Sequence, residues 1–243
     1  MVQFADRVVV VTGAGTGIGQ ATAVAFSRAG AAVVLVGRRP EKLAETARDL
    51  PAERTLLETC DVADRTAVNA LATRVEQHFG AAAILVNNAG VNTNPRSVAQ
   101  VDPAAWDLTV AVNLTGVFNA VRAFLPGMRQ NRDGIIINIA SIAGLRAGKL
   151  AGAAYTASKH GAVALTHSIN NEEVDYGIRA CAICPGEVAT PILDQRPEPV
   201  SPQRRARMLQ AEDVAAAVLF VSSLPPRACV AELVIKPTDQ LFG

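Results

Sequence analysis

This chain has no excess charge of either sign, no long apolar run, and little cysteine or histidine. Each shortage removes a class of function. Over 243 residues, 23 Lys and Arg face 22 Asp and Glu, a net charge of +1. Charge balance therefore gives no reason to expect a nucleic-acid or anionic-membrane surface. Apolar runs such as AAVVLV at 31–36 are too short to cross a bilayer. The first residues, MVQFADRVVVVTG, lack the basic start, apolar stretch and small-residue cleavage site of a secretory leader. The expectation is a soluble, cytoplasmic protein.

The four cysteines are Cys60, Cys181, Cys184 and Cys229, and only Cys181 and Cys184 form a CxxC. Their context, IRACAICPG, is β-rich, and residues three apart on a strand point to opposite faces. No second CxxC or neighbouring His completes a ligand set, and no helix begins at the motif as a redox pair needs, so no metal is expected. The three histidines, His78, His160 and His167, have no acid at triad spacing, which leaves a hydrolase site unsupported.

What the chain does have is alternation. Nearly continuous apolar runs at 7–11, 32–37, 54–59, 83–88, 134–140, 178–183 and 231–236 read as strands covered on both faces. Helical patterns lie between them at 17–29, 41–49, 64–79, 103–128, 155–176 and 211–222. Thr66 and Asp102 stand where helices start, and Gly30, Gly80 and Gly177 where they end. Repeated strand–helix units predict an α/β Rossmann fold: one domain over 1–243, with a doubly wound parallel sheet of about seven strands and helices on both faces. The segment 190–210 carries Pro191, Pro197, Pro199 and Pro202 and reads as an irregular loop, either a substrate loop or a plain surface connection.

The first strand runs into TGAGTGIG at 12–19. Glycines there let a backbone approach a pyrophosphate, and the following helix N-terminus favours negative charge. The spacing is Gly13-x3-Gly17-x-Gly19, and with it the chain resembles the short-chain dehydrogenase/reductase family. Further motifs agree in order: Asp61-Val62, NNAG at 87–90, NLTG at 113–116, Ser141, Tyr155-x3-Lys159 and PGEVAT at 185–190. The resemblance covers nearly the whole chain. It implies that Gly13, Thr16, Gly17, Ile18, Gly19, Asp61, Val62, Asn87, Ala89, Gly90, Tyr155, Lys159, Pro185, Gly186, Val188 and Thr190 surround a dinucleotide.

Tyr155 and Lys159, four residues apart, share a helix face. Bringing a phenol from ~10 to about 7 requires ~4 kcal/mol. One cation at roughly 5–6 Å, with an effective dielectric near 20, supplies about 3 kcal/mol. An oxidised nicotinamide adds most of the remainder. Tyr155 then serves as general acid or base. The resemblance assigns Ser141 to the substrate oxygen, Lys159 also to the nicotinamide ribose, and Asn113 to a proton relay. Ser141 and Tyr155 are fourteen positions apart, one more than the family's commonest spacing, and the extra residue falls in GLRAGKLAGAA at 144–154.

An acid is expected at the end of the second strand to hold the ribose hydroxyls of NAD. This chain has Gly37-Arg38-Arg39 instead. Arg38 offers a planar donor fork to a 2′-phosphate, with Arg39 assisting or stacking near adenine; the other reading makes both surface residues before Pro40. The resemblance points to NADP(H), with NAD(H) tolerated, and a carbonyl or secondary alcohol as the small-molecule substrate. Arg146 and Lys149 read equally as attractors of an acidic substrate and as surface residues. A dinucleotide-sensing regulator on the same fold is the alternative. Relatives pair long helices such as 103–128 and 155–176 between subunits, which implies a homotetramer.

Overall fold

Successive residues of the strand VVVVT at Val8–Thr12 (β1) meet different layers of the molecule. Val9 and Val11 pack with Phe26, Val214 and Val218 on one face. Val8 and Val10 pack with Leu71, Val75, Phe124 and Met128 on the other. A strand buried on both faces has no polar side to show, so its sequence is unbroken valine. Each fully buried Val or Phe contributes about 1.5–3 kcal/mol through removal from water.

The computed structural model describes residues 4–196 and 198–241. Six more strands flank β1: β2 (Ala32–Gly37), β3 (Thr55–Thr59), β4 (Ile84–Asn87), β5 (Gly134–Ile139), β6 (Ile178–Pro185) and β7 (Glu232–Ile235). They form one parallel sheet in the order β3-β2-β1-β4-β5-β6-β7. Helices α1 (Gly17–Arg28), α2 (Pro40–Ala47), α3 (Arg65–Phe79), α4 (Pro103–Val110), α5 (Gly116–Asn131), α6 (Ala153–Glu172), α7 (Pro202–Arg205) and α8 (Ala211–Ser223) connect them. Residues of α1 and α8 cover one face and residues of α3, α5 and α6 the other. The doubly wound α/β arrangement expected from the alternation is therefore present. The strands run outward from β1 to β3 on one side and from β4 to β7 on the other, and this switch between β1 and β4 opens a crevice at their C-terminal ends, where such sheets bind ligands.

Several local expectations need correction. Asp64, not Thr66, caps α3: its carboxylate accepts from the N–H groups of Thr66 at 2.8 Å and Ala67 at 3.1 Å. Asp102 caps α4 as expected, accepting from Ala104 N–H at 2.7 Å. The helix expected over 103–128 continues to Asn131, and one π-turn, Ala111–Thr115, separates α4 from α5. At 29 residues, this continuous Pro103–Asn131 stretch is long and apolar enough by composition to cross a bilayer, which no single apolar run in the sequence is. Half of its most apolar window is buried, with Val117, Ala120, Val121, Phe124 and Met128 packed into the core at helical spacing. The Pro-rich segment carries regular turns as well, a 3₁₀ turn at Pro191–Gln195 and the single turn α7. Proline sits at the first position of each, where its missing N–H removes no internal bond.

Candidate active site

A cleft of about 1160 Å³ opens along the C-terminal edge of the sheet. Its floor near β1 is the glycine turn. Gly13 and Gly17 have φ of 66° and 57°, the left-handed region where side chains are strained. A Cβ on Gly13 would stand 2.8 Å from Asn88 Nδ2, and one on Gly17 3.1 Å from Thr190 Cγ2. The turn is thus shaped to leave backbone exposed below the N-terminus of α1. Gly19 does not line the cleft; a Cβ there would meet Gly13 O at 2.3 Å, so this glycine lets α1 pack on the turn.

The NNAG segment divides differently from expectation. Asn87 is buried and its amide donates to Asn138 Oδ1 at 2.9 Å, while Asn138 donates to Thr166 Oγ1 at 2.9 Å. Asn87 therefore braces the sheet and is not a cleft residue. Its neighbour Asn88 lines the cleft and donates to the carbonyls of Thr12 at 2.9 Å and Gly13 at 3.2 Å, holding the glycine turn. Thr12 Oγ1 accepts from the N–H groups of Asn88 and Ala89 at 2.9 and 3.0 Å. Strand alternation carried the signal: adjacent asparagines at a strand end point to opposite faces.

At the other end of the turn, Gly37, Arg38 and Arg39 line the cleft with Asp61 and Val62. Arg38 and Asp61 form a long ion pair at 3.9 Å, both about half exposed. Such a surface pair contributes only about 0–1 kcal/mol and leaves the guanidinium available to a stronger anion. Lys42 also lines this end, which the sequence reading missed; its ammonium pairs with Glu45 at 2.7 Å.

Ser141, Tyr155 and Lys159 meet in the middle of the cleft. Lys159 is buried, its Nζ donates to Ile139 O at 2.6 Å, and it lies 5.6 Å from the centroid of the Tyr155 ring. Burial pulls this ammonium down to about 8. The Tyr155 phenol was expected to be lowered toward neutrality by Lys159 and an oxidised nicotinamide, yet in the nucleotide-free chain burial raises it above its ordinary value, against lowering by the Ser141 hydrogen bond and the charge of Arg96. The Lys159 ammonium is aimed at a carbonyl and stands over the ring, so it does not offset the desolvation of the hydroxyl. Ser141 also accepts from Ala143 N–H at 3.1 Å, which fixes its rotamer.

Asn113 sits in the π-turn and is fully buried, not in the cleft wall. Its Oδ1 accepts from Val91 N–H at 2.8 Å, and its Nδ2 donates to Val91 O at 2.9 Å and Ser158 Oγ at 3.1 Å. The side chain expected in a relay is thus fully engaged in tying the segment after β4 to α6. Pro185, Gly186, Val188 and Thr190 line the cleft after β6, with Ala89 and Gly90 across from them.

The sequence did not point to Arg96, Arg196, Glu187 or Gln240, which also line the cleft. Arg96 donates to the carbonyls of Thr93, Leu150 and Gln195. Glu187 is gripped by Arg196 at 2.9 Å and by Arg204, and Asp239 by Arg207 at 2.9 Å. The basic run at 204–208 is therefore part of an ion-pair lattice fastening the Pro-rich segment. Cys181 and Cys184 are free thiols packed on opposite faces of the sheet. Among the described residues no three His, Cys, Asp or Glu side chains gather as metal ligands would.

The family model for short chain dehydrogenases matches residues 7–200. Levodione reductase of Leifsonia aquatica is 35% identical over 239 residues, 91% of this chain and 89% of that protein. A metagenomic short-chain oxidoreductase in complex with NADP superposes with a TM-score of 0.84 at 34% identity, covering 97% of this chain and 99% of that one. The 3-ketoacyl-(acyl-carrier-protein) reductase of Brucella melitensis, complexed with NADH, gives 0.86 at 28% identity over 96% and 97% of the two chains.

Proposed function

This chain belongs to the short-chain dehydrogenase/reductase family of oxidoreductases, and from that premise we propose that it moves hydride between NADP(H) and the carbonyl or secondary alcohol of a small molecule. The observation that supports this reading is the meeting of Ser141, Tyr155 and Lys159 in the cleft that begins at the glycine turn. The cleft suits a dinucleotide because Gly13 and Gly17, whose positions admit no side chain, leave bare backbone along it, and α1 presents its N-terminal N–H groups there. Gly13, Thr16, Gly17 and Ile18 would hold the pyrophosphate, Asp61 and Val62 the adenine end, and Ala89, Gly90 and Lys159 the nicotinamide ribose. Pro185, Gly186, Val188 and Thr190 would hold the carboxamide. Arg38, with Arg39 and Lys42 beside it, would favour a 2′-phosphate, and Gly37 removes the acid that would repel it.

When bound, the nucleotide supplies or accepts the hydride. Tyr155 gives its proton to the carbonyl oxygen during reduction, and Ser141 donates a hydrogen bond to the same oxygen as charge develops there. Lys159, with its ammonium over the Tyr155 ring and on Ile139 O, would orient the nicotinamide ribose beside them. Asn113 acts through Val91 and Ser158, keeping the wall after β4 against α6. Residues 191–196 would wall the substrate end.

The decisive comparison is Tyr155→Phe. NADPH binding, followed by nicotinamide fluorescence, should stay within about twofold, while turnover falls about 10²–10⁴-fold. Turnover that survived the substitution would end the role given to Tyr155, whereas NADPH binding with no carbonyl reduction by the wild type would leave a dinucleotide sensor. We further propose that copies pair through the helices on the α5 face. Phe118 there is 40% exposed, beside a groove lined by Val121, Leu125 and Leu165. Light scattering should give a tetramer, and a monomer at micromolar concentration would exclude it.

A further inference from the structure

The substrate end of the cleft holds three guanidinium groups, Arg96, Arg146 and Arg196, and two carboxylates, Glu187 and Asp194. Both carboxylates are already taken: Glu187 by Arg196 and Arg204, Asp194 by Arg205 at 3.0 Å. Arg96 is different. It is half-buried, and its guanidinium donates only to neutral carbonyls: Nη1 to Leu150 O and Nη2 to Gln195 O, each at 2.7 Å, and Nε to Thr93 O at 3.3 Å. No carboxylate pairs with it among the described residues.

A guanidinium has five N–H groups, so one on each terminal nitrogen remains. The three carbonyls fix the plane of the fork, which lowers the entropy lost when it takes a bidentate anion. A charge partly withdrawn from water without a counter-ion carries a desolvation cost that anion binding relieves. Burial and the nearby Arg196 both weaken the hold of Arg96 on its proton, and its charge reaches the Tyr155 phenol. The cation therefore stands on the wall beside the proton donor, not at a remote surface.

We propose that the substrate is an anionic carbonyl compound whose carboxylate or phosphate takes the two remaining N–H groups of Arg96 while its carbonyl lies at Tyr155. This rests on the oxidoreductase reading above. Arg96 is then the residue that selects the substrate, and the same fork that joins the three loop walls recognises the anion they enclose.

The test compares matched pairs with NADPH in excess: benzoylformate against its methyl ester, acetoacetate against its methyl ester, and dihydroxyacetone phosphate against dihydroxyacetone. The wild-type enzyme should prefer an anion over its neutral partner, and the pair that shows the preference distinguishes carboxylate from phosphate. Arg96→Gln should raise KM about 10–100-fold more for that anion than for its neutral partner, whose smaller loss measures the fastening of the loop walls, with Arg96→Lys in between. Equal loss for both partners would make Arg96 a loop fastener only. No anion preferred by the wild type, including the case where nothing is reduced, would also overturn the proposal. Failure of the underlying reading has a separate signature: NADPH fails to bind, or Tyr155→Phe reduces substrate as well as the wild type does.

Discussion

The lysine at 159 shows how one buried charge sets both chemistry and stability. Its ordinary value of 10.5 is pulled to about 8 by burial. Between those two values the unfolded chain holds a proton that the folded, nucleotide-free chain has released, so stability rises with pH across that window. The contribution is complete above 10.5 and is lost as pH falls through about 8. The full span corresponds to about 3 kcal/mol. Urea midpoints of wild type and Lys159→Met should therefore diverge as pH rises from 8 to 10.5, with the wild type gaining relative to the variant; parallel curves would show that the ammonium is not depressed. At this scale much of the cleft was legible, because Tyr155, Lys159 and Ser141 announce themselves by residue type and spacing. Asn87 did not. A lone Asn inside GIIINIA, residue 138, required a buried partner, and the register pairs it with Asn87 across two strands. Such a pairing appears only once strand neighbours are known. Arg96 was illegible for a related reason, since three carbonyls from three separate segments define its role.

Among the elements, strands were easier to read than helix ends. Valine and isoleucine runs admit few structures other than a strand, so the seven strands fell close to their expected positions; the expectation of cover on both faces fails for β3 and β7, the two sheet edges, which carry half-buried and exposed residues. Helix starts depend on which of several polar residues faces the first N–H groups, and Asp64 prevailed over Thr66 by lying just outside the first turn. The π-turn at Ala111–Thr115 carries no local sequence signal that periodicity could detect. It exists where Asn113 must reach Val91 and Ser158. The start of α6 is similarly dictated by a neighbour. Gly152 has φ of 81°, a Cβ there would lie 2.5 Å from Arg96 Cβ, and Arg96 O accepts from Ala153 N–H at 3.1 Å. Gly152→Ala should destabilise the protein by about 1–3 kcal/mol and lower kcat, because Tyr155 rides on that first turn. Gly148→Ala, where a Cβ meets nothing within 4 Å, should stay within about 0.5 kcal/mol. Equal urea midpoints for the two variants would refute this account of the α6 start.

For the molecule as a whole, the switch in strand order between β1 and β4 divides the cleft by sequence as well as by space. The glycine turn, Gly37, Arg38, Asp61 and Val62 all come from the first 62 residues, before β4 is formed. Ser141, Tyr155, Lys159 and the walls carrying Arg96 and Arg196 come afterwards. Gly37→Asp combined with Arg38→Leu should therefore shift preference from NADPH toward NADH without changing the order in which substrates are favoured. The new Cβ at residue 37 would meet only the flexible Leu43 side chain, Cδ2 at 3.2 Å and Cγ at 3.9 Å. Competitive turnover with both nucleotides across a substrate panel checks this, and a reordered panel would contradict it. The same division has a meaning for ancestry. On the reading proposed above, a genetic crossover within the codons of α3 would exchange the adenosine end of the cleft, Gly37 and Arg38 included, and leave the nicotinamide and substrate ends together, so the choice of coenzyme phosphate could be inherited apart from the choice of substrate.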